Sequence, residues 1–258
     1  LGGWLAVCAV GVSYRLLPMF LLSPDPDHRR IRLVLLSACV ATVIAVAGGF
    51  AAAYAGRPVR EVMAVAALAA GATIILYGRD VVRFYHARRR IEMELNTRIA
   101  IPAFASLGLA VLMVAPVAAF AGIETAVASS VYLIAFGWLT GLGLAQLYKI
   151  VPFMTWLECY GPVLGRAPTP RVQDLVSERR AQPWFVLYFV SVWTGAAALA
   201  LGSELVFRAA AVGALAATVA VAIEAARARL LSDVDPGNRF PAGTQRPHFF
   251  ISVASVGN

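Results

Sequence analysis

The sequence predicts an all-α, polytopic transmembrane helix bundle of about seven helices, with a parallel four-helix internal repeat. Of the 258 residues, 60% are apolar and only 14% are charged, against roughly a quarter charged in soluble domains. The mean hydropathy is +0.75. The apolar residues also gather into seven runs, each near the roughly 20 residues that cross about 30 Å of hydrocarbon.

The runs cover residues 1–22, 32–55, 62–86, 99–121, 125–157, 183–202 and 204–226. The first is followed by the polar loop SPDPDHRR, which leads into the second. The third begins just after Glu61 and continues through GRDVVRFYHARRR into a turn. Asp80, Glu92 and Glu94 are available there for short-range pairs with arginines. The fifth and seventh begin beside Glu124 and Glu204, and these acids, like Glu61, suit the positive end of the helix dipole. Residues 1–230 form the bundle. Residues 231–258 are rich in Pro, Gly and Asn and read as an irregular cytoplasmic tail.

The net charge of +8 is a matter of topology and not a nucleic-acid footprint. With loops alternating sides, one side carries Arg29, Arg30 and Arg32, then Arg79, Arg83, Arg88, Arg89, Arg90 and Arg98. It also carries Arg166, Arg171, Arg179 and Arg180, and finally Arg227 and Arg229. The other side holds Arg57, Arg60 and Arg208. By the positive-inside rule the first side is cytoplasmic, so Leu1 faces outward. The bilayer and its anionic lipids are the expected partners. Leu1 lies within an apolar run with no basic region before it, and reads as part of a longer chain.

Sliding the chain against itself by 134 residues brings Gly2–Phe20 onto Phe136–Met154. Gly3, Trp4, Leu5, Tyr14 and Pro18 then fall on Gly137, Trp138, Leu139, Tyr148 and Pro152, and Arg15 falls on Lys149. An even number of helix steps separates the copies, hence a parallel repeat. Each proline lacks an amide donor and crowds the carbonyl four residues back, which is that of Tyr14 or Tyr148. Each helix is therefore expected to kink or end there. The adjacent cations Arg15 and Lys149 either snorkel to headgroups or, with Tyr14 and Tyr148, hold an anionic group such as a cofactor carboxylate or lipid phosphate.

Other chemistry is sparse. Cys8, Cys39 and Cys159 form no CxxC and read as packing residues. His28, His86 and His248 have no partner at helical spacing, so no metal site is read from them. Glu224 is placed to pair with Arg227 or Arg229. Gln146 and Thr140 suit interhelical hydrogen bonds, and Gly137 with Gly141 forms a GxxxG. No nucleotide-binding or hydrolase motif is present, and no catalytic residue is assigned.

The blocks GWLAVCAVGVSYRLLPMF and QLYKIVPFMTWLECYGPVLGR resemble bacterial membrane proteins related to haem-copper oxidase subunit I, including NnrS-like nitric-oxide-response proteins. The resemblance implies four-helix units and a haem or copper connection in a bacterial cytoplasmic membrane. It also implies metal-binding histidines just before the first block, upstream of Leu1. Only Tyr14, Arg15, Pro18, Tyr148, Lys149 and Pro152 carry over as motif positions. Three functions follow as expectations: a redox- or nitric-oxide-linked membrane protein, a scaffold among other membrane subunits, or a small-molecule transporter.

Overall fold

The computed structural model describes residues 4–89, 93–239 and 244. Arg90, Glu92, His248 and most of the tail lie outside them, as do Gly2 and Gly3 of the repeated block. Among the described residues there are eight helices and no strand: α1 Trp4–Leu21, α2 His28–Tyr54, α3 Val59–His86, α4 Leu95–Leu112, α5 Val114–Ala121, α6 Ile123–Val163, α7 Glu178–Leu201 and α8 Glu204–Arg229. All but α1 and α5 are long and apolar enough to cross a membrane. Among the described residues six of the seven expected runs meet that length, and α1, described from Trp4, is a shorter apolar helix.

The segment 99–121 is two helices because Pro116 supplies no amide to the carbonyl of Leu112, and the ladder breaks at Met113. Helices α2, α3, α4 and α7 begin before their apolar runs, at His28, Val59, Leu95 and Glu178. Asp27 caps α2 by accepting the amide of Arg29 at 3.0 Å. Glu61, Glu124 and Glu204 do lie in first turns. Neither repeated proline ends its helix. Pro18 lies within α1, and α6 continues past Pro152 to Tyr160 and one further turn. One missing bond is tolerated where neighbouring helices hold the segment in place.

Polar contacts fix which helix ends meet. The amide of Arg89 donates to Leu21 O at 3.3 Å, and Tyr85 Oη donates to Thr97 O at 2.8 Å. The amide of Leu95 donates to Glu178 at 3.0 Å, and Arg229 pairs with Glu158. The ends of α1, α3, α6 and α8 and the starts of α4 and α7 thus gather at one end of the bundle, the arginine-rich end.

Close packing depends on small residues. A Cβ on Gly137 would lie 2.5 Å from Ser106 Cβ, and one on Gly141 would lie 2.7 Å from Phe189 Cζ. The GxxxG therefore seats α6 against both α4 and α7. Residues 133–140 of α6 form a π-helical stretch, which redirects backbone acceptors: Tyr188 Oη donates to Phe136 O at 2.7 Å, and Thr140 Oγ1 donates to Ala135 O at 2.8 Å. Beyond the main core, Leu231 and Val234 are buried against Cys159, Tyr160, Val163 and Leu175. Cys159 is thus a packing residue, whereas Cys8 and Cys39 are exposed.

Candidate functional site

Helix α6 runs roughly 60 Å at 1.5 Å per residue, twice the hydrocarbon thickness, so its C-terminal part extends past the start of α4. Lys149 therefore sits where α4 begins and not at its own helix end. Its ammonium forms an ion pair with Glu94, with both side chains largely buried. Around this pair lies a cavity of about 310 Å³, walled by α6 (Tyr148, Lys149, Pro152), the start of α4 (Glu94, Leu95, Asn96), the loop before α7 (Val172, Gln173, Val176) and Glu178.

The lining is unusual in what it leaves unpaired. Asn96 is 2% exposed, and neither its amide nitrogen nor its oxygen has a hydrogen-bond partner among the described residues. Tyr148 is 5% exposed, with its ring edge-on to Phe185 at 5.7 Å, and its hydroxyl is likewise without a partner. Pro152 deprives the Tyr148 carbonyl of its helical donor. A buried unpaired polar group costs about 1–3 kcal/mol, so several around one cavity mark a place for a polar guest.

The lining charges are two carboxylates, Glu94 and Glu178, and one ammonium, Lys149. Glu178 already accepts the Leu95 amide, and nearby Arg98 Nη2 donates to Gln182 at 2.9 Å. Among the described lining residues the carboxylates outnumber the ammonium by one.

The sequence-predicted positions separate. Tyr148 and Lys149 line this cavity, and Tyr14 and Arg15 do not. Tyr14 Oη donates to Asp80 Oδ2 at 2.9 Å, and Arg83 Nη1 donates to Asp80 Oδ1 at 3.2 Å. Arg15 is exposed on α1. The two halves of the expected repeat thus stand in different surroundings. Asp80 is 7% exposed, a buried acid that the hydropathy pattern does not single out. Glu94 pairs across helices with Lys149, and Glu224 is held by Arg180 of α7 instead of Arg227 or Arg229. Asn96, Glu94 and Glu178 were not legible as site residues, although an amide in the first turn of a membrane helix is a signal in its own right.

His28 and His86 are exposed at helix ends. Among the described residues no three of His, Cys, Asp and Glu are grouped as a metal ion requires. No family model, curated protein or solved structure matches this chain.

Proposed function

We propose that this multi-pass membrane protein binds a small polar molecule, neutral or singly cationic, in the cavity between α4, α6 and α7. The observation that carries the proposal is Asn96, a fully buried amide on the cavity wall with neither hydrogen-bonding atom partnered among the described residues. The volume equals that of roughly ten waters, which suits a metabolite-sized guest. Because Glu94 already balances Lys149, the remaining Glu178 favours an ammonium or amide over a carboxylate. The arginine-rich end is read as cytoplasmic in a bacterial inner membrane, so the site opens to the cytoplasm. Transport or sensing of such a solute fits this placement.

The test is thermal unfolding of purified protein with ethanolamine and glutamine as probes, and with glutamate and inorganic phosphate as anionic controls. Ethanolamine or glutamine should raise the midpoint in the wild type and leave Asn96→Leu unmoved. Greater stabilisation by the anions would sink the reading.

The two blocks around Tyr14 and Tyr148 support a second reading, a redox-linked protein similar to haem-copper oxidase subunit I. Its metal would be held by residues other than those described. Absence of a Soret band, and of iron and copper by elemental analysis of the full-length protein, removes it.

A further inference from the structure

Helices α3 and α4 are joined near the arginine-rich end by Tyr85 and Thr97, and a crevice of about 680 Å³ runs between them. Its wall follows α3 from Ile74 to His86, roughly 18 Å of helix rise. That is close to one leaflet of hydrocarbon, about 15 Å. The floor is aromatic, with Tyr77 and Phe104 edge-to-face at 5.9 Å. Gly78 and Gly108 keep it deep: a Cβ on either would meet no atom within 4 Å.

The mouth has the opposite chemistry. Among the described residues, Arg88 and His86 are the charged or titratable groups of the lining apart from the two tyrosines, and no carboxylate lines it. Arg88 uses one of its five donors on Tyr85 O at 3.1 Å, and its side chain is exposed. Arg89 is exposed beside it.

We infer that this crevice is a binding site for one anionic phospholipid, an acyl chain lying between α3 and α4 and the phosphate held at Arg88. An apolar slot of one-leaflet length ending at a guanidinium complements that molecule at both ends. A free phosphate would leave the slot unfilled. A zwitterionic lipid would bring an ammonium to a basic mouth.

The experiment is native mass spectrometry of the protein in mild detergent, titrated with phosphatidylglycerol and phosphatidylcholine, together with labelling by a photoreactive phosphatidylglycerol. The expected result is one retained phosphatidylglycerol and label in peptides from 74–112. Arg88→Ala should weaken its preference over phosphatidylcholine about fivefold, the factor for about 1 kcal/mol per basic residue at an anionic lipid. Gly78→Leu or Gly108→Leu should abolish retention. Should those variants fail to fold, the wild-type labelling decides. Equal retention of both lipids, protection by inorganic phosphate alone, label outside 74–112, or crosslinks between copies across the crevice would each overturn the inference.

Discussion

Arg180 at the start of α7 grips Glu224 near the end of α8 through two nitrogens, Nε to Oε1 at 2.7 Å and Nη2 to Oε2 at 2.7 Å. The same guanidinium reaches Asp233 Oδ1 with Nη1 at 3.1 Å. One planar fork thus ties two transmembrane helices to the segment that follows them. Because Glu224 is 5% exposed, removing its partner leaves a buried charge. Arg180→Leu is expected to cost about 3 kcal/mol, read as a lower unfolding midpoint in detergent. Arg180→Lys should recover only part of it, since a point charge cannot fork.

Asp233 gives the pH dependence. Hydrogen bonds from Arg180, joined by Arg227, hold its carboxyl below the ordinary 3.8. A depressed folded-state value means that the contribution is fully present above 3.8 and is lost as pH falls through the lower folded value. Acid unfolding midpoints should therefore drop below that pH in the wild type. Asp233→Asn should be less stable at neutrality and show a shallower acid limb. Equal slopes in the two proteins would mean that the ion pairs contribute nothing to folding.

The helices were legible because an apolar run near 20 residues has few alternatives, and because acids such as Glu61 and Glu204 mark starts. Hydropathy reports what lipid tolerates, whereas the helix follows backbone hydrogen bonds, so His28–Arg32 and Glu178–Arg180 join their helices despite their charges. Side-chain partnerships were less legible. Lys149 stands out in an apolar run, yet Glu94 lies far upstream in a segment that reads as solvated. Nor does local spacing favour Arg180 for Glu224 over Arg227. Tyr14 and Tyr148 look equivalent in sequence, and only the packing separates a tyrosine bonded to Asp80 from one left unpaired beside a cavity.

The GxxxG contact separates structural glycines from permissive ones. Gly137→Ala would drive a Cβ to 2.5 Å from Ser106 Cβ, on the side chain that accepts Trp193 Nε1–H at 2.9 Å. Overpacking of this kind costs about 1–3 kcal/mol. Gly108→Ala meets nothing within 4 Å and should be neutral, or stabilising by up to about 1 kcal/mol through helix propensity. Midpoints of the two variants measured side by side should move apart, and similar shifts would remove the close-contact account of α6.

Asn96 offers the sharpest division between a structural residue and a binding one. If the amide served only the fold, removing it would destabilise. It has no partner among the described residues, so Asn96→Leu replaces an unsatisfied buried group by an apolar one of similar size. The ligand-free protein should then gain about 1–3 kcal/mol, while stabilisation by ethanolamine or glutamine disappears. Tyr148→Phe should act in the same direction and more weakly, because the ring keeps its packing against Phe185. A loss of ligand-free stability in both variants would assign these groups to the fold and leave the cavity without a binding role.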